Sequence, residues 1–239
     1  MKELLKKILP QSTVKWLGHM RGSAAGTYLQ FSYSQEGEDL ILERILGSRK
    51  TGFYVDVGAH HPRRFSNTRR FYKRGWRGIN IEPNPDAMKL FQRQRPRDIN
   101  LCYGVGETET ELTYFMFNEP ALNSFDRQLS EQRQGGPYRI TARKQIPVRR
   151  LSSLLAEFLP GGVPIDFMSI DVEGFDLQVL QSNDWTRFRP TCVLVESESF
   201  DLTNPGANPI HVFLESQNYM LFAKTFNTLF YLNREVKHF

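Results

Sequence analysis

Four times along the chain an apolar run rises to an acidic residue and breaks into a turn: "GFYVDVGAHHP" at Asp56, "GINIEPNP" at Glu82, "IDFMSIDVEG" at Asp171 and "TCVLVESE" at Glu196. Short runs rich in Val, Ile, Phe and Tyr, apolar throughout rather than alternating, read as strands buried on both faces. Helical patterns separate them. "SNTRRFYKRG" has Ser66 or Asn67 as cap, and "NPDAMKLFQRQR" has Asn84 as cap with Pro85 at the first helical position. "SQEGEDLILERIL", "LSSLLAEFL", "DLQVLQSN" and "IHVFLESQN" complete the set, and "INLCYGVG" reads as a third strand. Strands alternating with helices predict an α/β, doubly wound, mostly parallel sheet. The two strands of "YMLFAKTFNTLFYL" are joined too tightly for a parallel crossover, which predicts a C-terminal antiparallel hairpin turning near Phe226 and Asn227.

Two stretches stand outside this alternation. Residues 1–30 read as an N-terminal helical extension, with Leu4, Leu5, Ile8 and Leu9 at helical spacing and lysines opposite. A basic amphipathic segment of this kind docks on its own domain or a second subunit, or makes peripheral contact with a membrane. Between the strand patterns "ELTYFMF" and "YRITARKQIPVRR", the polar residues 118–136 are long for a connection and read as a lid.

The 239 residues, 40% hydrophobic, suffice for one globular domain with a core. No apolar run is long enough to span a membrane. Cys102 and Cys192 lie in apolar runs and read as buried free thiols, so a reducing cytoplasm is the simplest compartment. Net charge is +5, with basic clusters at 63–77 and 139–150. Such clusters suit a nucleic acid, a phosphate-bearing substrate, an anionic membrane or a solvated face. With no aromatic-interleaved platform or nucleic-acid motif, a nucleic-acid-binding module is the weaker alternative and no nucleic acid is expected as partner.

In a doubly wound sheet, ligands bind outside the carboxyl ends of the strands, where all four acidic turns fall. Gly58 is followed by Ala59, His60, His61 and Pro62, so the glycines of a dinucleotide fingerprint are missing. That argues against an NAD(P)-dependent oxidoreductase. Glu82, at the end of the second strand, stands where an acid accepts hydrogen bonds from ribose hydroxyls. An adenosine-like ligand without pyrophosphate is implied, and S-adenosylmethionine fits. Adjacent histidines lack the spacing of a zinc helix; His60 remains available as a base or hydrogen-bond donor.

Together, "SQEGEDLIL", "FYVDVGAHHPRRFSNTRRFYKRGWRGINIEPNP" and "IDFMSIDVEGFDLQVL" resemble the FkbM family of S-adenosylmethionine-dependent methyltransferases over residues 33–232. The resemblance implies a Rossmann-like class I methyltransferase domain over 31–239, with seven strands and the last antiparallel. It implies methyl transfer to a hydroxyl, in many members on a sugar, polysaccharide, glycolipid or polyketide, so a hydroxyl-bearing glycan or glycolipid is the expected partner. Matched by position, Asp56, Gly58 and Ala59 turn around the methionine part of the donor, and Glu82 takes the ribose. Gln35 and Asp39 close over the donor, Val105 contacts adenine, and Ser66 and Asn67 reach the methionine carboxylate from a helix N-terminus. The "GAHHP" turn departs from the family's usual asparagine and glycine after the alanine. For O-methylation, Asp171 is expected as general base, or with Glu196 as a Mg2+-binding pair. Glu173 and Glu198 lie on the same turns, and His60 is a second catalytic candidate.

Overall fold

The computed structural model describes residues 30–236, apart from 48 and 198. The chain divides into Met1–Phe31 and Ser32–Phe239, and only the second is treated below. Apart from its last position, the expected helical extension at 1–30 lies outside the described residues, as does Glu198.

In chain order the first elements are α1 (Glu38–Leu46), β1 (Phe53–Val57), α2 (Arg69–Lys73), β2 (Arg77–Ile81), α3 (Pro85–Gln94), β3 (Ile99–Leu101), β4 (Gly104–Val105) and β5 (Thr110–Phe117). They are followed by α4 (Arg127–Arg133), β6 (Ile140–Arg149), α5 (Leu151–Phe158), β7 (Phe167–Ile170), α6 (Asp176–Gln181), β8 (Cys192–Glu196), α7 (Pro209–Ser216), β9 (Tyr219–Lys224) and β10 (Thr228–Asn233). Seven strands form one sheet in the order β3-β2-β1-β7-β8-β10-β9. The first five run parallel, and β10 is antiparallel to both β8 and β9. Among the described residues no helix is long and apolar enough to cross a membrane.

Successive residues of a strand face opposite ways, so the central strands supply two cores. Val55, Val57, Ile79, Ile81, Met168 and Ile170 pack with Leu151, Leu154, Val179 and Leu180 on one side. Tyr54 and Phe167 face the other side with Leu42, Phe71, Trp76, Leu194 and Phe230. Every residue of β1 and β7 is buried, as expected of strands covered on both faces. At the start of α3, Asn84 Oδ1 accepts the Asp86 N–H at 3.0 Å and Pro85 occupies a first-turn position without a usable N–H.

The structure departs from the sequence expectations in four places. The predicted third strand breaks after Leu101, and Gly104–Val105 leaves the main sheet to pair with β6. A Cβ at Gly104 would meet the Phe125 ring at 2.6 Å, so a glycine there makes room for that ring against the strand. β4, β6 and β5 then form a second, three-stranded sheet. The helix after Asn67 starts only at Arg69, with Thr68 at the cap position and no side-chain cap bond, so neither Ser66 nor Asn67 caps it. The Ser34 segment becomes helical only at Glu38. Residues 118–136, read as a lid with no element assigned to it, hold a 3-10 turn at Pro120–Leu122 and then α4, whose N-terminus is capped by Asp126 accepting the Leu129 N–H at 2.9 Å.

Phe167 carries much of the second core, with ring centroids 4.8 Å from Phe71, 5.7 Å from Tyr54 and 6.1 Å from Trp76. Phe167→Ala should cost about 3–5 kcal/mol by leaving a cavity between β1, β7 and α2. Urea denaturation at constant m-value checks this, and a loss below about 1 kcal/mol would mean that the cavity collapses.

Candidate active site

Three strand ends meet at one cleft through their backbones. Gly58 adopts φ 76°, and a Cβ there would lie 1.7 Å from the Asp171 carbonyl oxygen. Only glycine combines this left-handed geometry with so close an approach. The Asp171 N–H donates to the Val57 carbonyl at 3.0 Å, and the Gly58 and Ala59 N–H groups donate to the Ile81 carbonyl at 3.0 and 3.2 Å. The ends of β1, β2 and β7 are therefore fixed to one another before any side chain contributes.

Glu82 binds the same turn with its carboxylate. Its Oε2 accepts the His60 N–H at 2.8 Å and its Oε1 accepts the Asn84 N–H at 2.8 Å. Burial pushes its pKa up to about 7, against the pull of these two donors and of Tyr114. Asp56 accepts the Thr68 hydroxyl at 2.7 Å. Burial likewise raises it to about 6.

The two histidines part company. His60, at φ 51°, lines the cleft and stacks on Phe65 with centroids 6.2 Å apart. Its Nε2 is buried and meets no hydrogen-bond partner among the described residues. Burial, then the neighbouring Arg64 and His61, depress its pKa to about 4, so the imidazole is neutral at pH 7. His61 Nδ1 instead accepts the Arg63 and Arg64 N–H groups, both at 3.0 Å, and ties off the turn.

At the opposite wall, Asp171 stands with Glu173 and Glu196, their carboxylate oxygens within 4.8 Å of one another. Asp171 is densely surrounded by protein yet reachable by solvent through the cleft. Its pKa is raised well above the usual carboxylate range by that crowding and by the charges of Glu196, Glu173 and Asp176. Asp176 holds the turn by accepting the Val172 and Gly174 N–H groups, both at 3.2 Å. Glu173 pairs with Arg133 of α4 at 2.5 Å.

Of the residues singled out from sequence, Gln35, Asp56, Gly58, Ala59, His60, Asn67, Glu82, Val105 and Asp171 line this one cleft. Glu196 lies in an adjoining recess that shares Asp171 and Asn67 with it. Asn67 reaches across to donate to Ser169 Oγ at 3.0 Å. Two residues turn elsewhere. Asp39 is fully buried and accepts the Ser32 hydroxyl at 2.6 Å and the Tyr33 N–H at 3.0 Å, with Arg70 at 3.3 Å. Ser66 faces Arg95 at 2.7 Å. The sequence reading did not name Tyr114, which closes the cleft from the second sheet, and it placed Pro120, Ala121 and Phe125 only within the 118–136 stretch read as a lid.

A seven-stranded sheet with one reversed strand next to its edge, and a ligand cleft at the strand ends, defines the class I methyltransferase fold. The sequence profile described as the methyltransferase FkbM domain matches residues 56–221, and the chain belongs to that family. The methyltransferase sdnD of Sordaria araneosa is 29% identical over 112 residues, which cover 37% of this chain and 42% of that protein. The crystal structure of methyltransferase FkbM from Methylobacillus flagellatus KT superposes with a TM-score of 0.50 at 15% identity, covering 84% of this chain and 48% of that one. The match thus spans less than half the length of either relative.

Glu82 gives the site a pH signature. A carboxyl whose folded pKa is raised stabilises the fold fully below its unfolded pKa and loses that contribution as pH climbs through the folded value. With Glu82 moved from 4.5 to about 7, the stability of the native chain relative to Glu82→Gln should fall as pH rises through that window. The slope approaches about 1.4 kcal/mol per pH unit. Paired urea titrations measure it, and a flat difference would contradict the burial of an ionisable Glu82.

Proposed function

We propose that this protein is an S-adenosylmethionine-dependent O-methyltransferase acting on a hydroxyl of a saccharide-containing acceptor, such as a polysaccharide, glycolipid or glycosylated natural product. The observation that carries the reading is the composition of the cleft wall. Asp56, Glu82, Asp171 and Glu173 line it and, among the described residues, no Lys or Arg does, which suits a donor with a sulfonium and an ammonium group. Glu82 takes the ribose hydroxyls through the lone pairs its two backbone donors leave free. Asp56 faces the methionine ammonium, Asn67 and Gln35 serve the methionine carboxylate, and Val105 contacts adenine. Residues 118–136 act as the lid.

In the chemical step the acceptor oxygen attacks the sulfonium methyl in line. The O–C bond forms, the S–C electron pair returns to sulfur as a neutral thioether, and the hydroxyl proton passes to Asp171. A histidine held near pKa 4 is a poor base at neutral pH, so His60 serves as a neutral wall and hydrogen-bonding group. As the alternative to the base role, Asp171 with Glu173 and Glu196 would hold Mg2+, since their oxygens converge and hard cations favour carboxylates. Bound there, the ion would lower the pKa of the acceptor hydroxyl.

Incubation with methyl-labelled donor and a panel of glycans and glycolipids should label a glycan. Asp171→Asn should reduce turnover at least about 100-fold while donor affinity is kept. Label appearing only on protein or nucleic acid would remove the saccharide reading. A variant retaining most of kcat would remove the base, and turnover indifferent to EDTA and added Mg2+ would remove the metal.

A further inference from the structure

Arg95, just past the end of α3, is fully buried, although it is none of the strand-end residues that mark the cleft. A buried guanidinium is tolerated only when its donors are met. Here all five are. Nε and Nη2 donate to the Pro62 carbonyl at 3.3 and 2.8 Å, and Nη2 donates again to Ser66 Oγ at 2.7 Å. Nη1 donates to Thr68 Oγ1 at 2.7 Å and to the Tyr54 hydroxyl at 3.4 Å. The countercharge is Asp98, 4.0 Å away, itself held by the Tyr54 hydroxyl at 2.6 Å and the Gly78 N–H at 3.1 Å.

This arrangement settles a direction. Arginine can only donate, so Thr68 accepts from it, and of the two oxygens left to the single Thr68 proton, Ser66 Oγ at 3.3 Å and the charged Asp56 Oδ2 at 2.7 Å, the proton goes to Asp56. Two consecutive hydrogen bonds thus run from a rigid buried cation to a carboxylate on the cleft wall. The same cation anchors Pro62 and Ser66, the stretch that follows the Gly58–His60 turn.

We propose that Arg95 and Thr68 are positioning residues for the methyl donor: Arg95 fixes the 62–68 segment, and Thr68 turns Asp56 so that its second oxygen meets the donor's ammonium. The proposal rests on the reading of Asp56 as a donor-binding residue. The charged neighbours of Asp56 are Arg95, Asp98 and Glu82. At the cap of α2 it meets the neutral Thr68, while Arg70 of that helix is engaged by Asp39 and Glu43. Its partner on β7 is the neutral Ser169.

Titration calorimetry of the full chain with S-adenosylmethionine and S-adenosylhomocysteine, from about pH 5 to 8, tests the relay. Thr68→Val keeps the shape and removes the hydroxyl. It should weaken binding roughly tenfold or more at neutral pH, the usual effect of losing a hydrogen bond to a charged group. Affinity depends on ionised Asp56, so it falls as pH drops through the pKa of about 6 that Asp56 has in the native chain. Without the Thr68 donor that limb should move to higher pH, and Thr68→Ser should restore both affinity and limb. A Thr68→Val protein that binds like the native chain with an unmoved limb overturns the proposal. So does equal weakening by Val and Ser with an unchanged pH profile, which would be packing alone. Arg95→Lys keeps the charge but supplies only three donors, and should weaken binding as well. Should it unfold, the Thr68 pair still decides. Asp56→Asn separates the two layers. If it binds the donor normally, the donor-site reading falls. If it binds weakly while Thr68→Val does not, only the relay falls.

Discussion

The contact between Gly58 and the Asp171 carbonyl is the constraint on which the cleft depends. Two neighbouring parallel strands, β1 and β7, leave the sheet side by side, and their exits must cross. The missing Cβ at Gly58 lets backbone lie on backbone. From that crossing the chain after β1 is thrown toward β2, where the Ile81 carbonyl and the Glu82 carboxylate collect three successive N–H groups. Asp56, Glu82 and Asp171 therefore project from origins that cannot shift independently. Precision at the site comes from main-chain hydrogen bonds, and the acidic side chains inherit it.

Much of this was legible in the sequence, for identifiable reasons. Strands buried on both faces leave uninterrupted apolar runs, and Asn84–Pro85 announces a helix start by local chemistry alone. The hairpin followed from the shortness of the link around Phe226 and Asn227. What escaped depends on partners distant in sequence. Nothing in "INLCYGVG" says that Gly104–Val105 will pair with Val148–Arg149. Asp39 and Ser66 were expected at the donor from the family resemblance, yet they are bonded to Arg70 and Arg95 instead. Arg95 itself, in "QRQRPRD", is indistinguishable from solvated arginines, since its burial is made possible by Pro62, Ser66 and Thr68. Asp126 at the start of α4 did carry a readable cap signal, but the polar stretch around it masked the helix.

The basic clusters had left the partner open, and the structure shows where much of that charge goes. Arg70 and Arg74 both reach Glu43, tying α2 to α1. Arg64 pairs with Glu119, and Arg149 with Glu157. The positive charge is thus partly spent between neighbouring elements at the surface, while the cleft wall is acidic. Net charge and site charge have opposite signs, so the composition of the whole chain misleads about the ligand. Charge describes solubility and encounter for the molecule as a whole; recognition is set by the few groups that line the cavity.

The same contrast separates the floor of the cleft from its cover. The floor is held by buried hydrogen bonds to charged groups, Arg95 to Thr68 and Ser66 and Glu82 to two backbone N–H groups. Each such bond to a charged group is worth about 1.5–3 kcal/mol. The connection over the cleft is attached differently. Glu119 meets Arg64 in a bidentate pair at 2.8 and 3.2 Å on partly exposed side chains, and such a pair is worth about 0–1 kcal/mol. At the other end Ser124 Oγ donates to the Glu173 carbonyl at 2.7 Å and Arg133 pairs with the Glu173 carboxylate. Asn123 and Ser124 are held more firmly, since Asn123 Oδ1 accepts the buried Phe117 N–H at 2.7 Å and Ser124 exchanges both backbone hydrogen bonds with Phe115, so the lightly attached part of the connection is its outer end at 119–122. The fold keeps its buried, charge-assisted interactions at the strand ends and an exposed ion pair at the outer end of the connection above them.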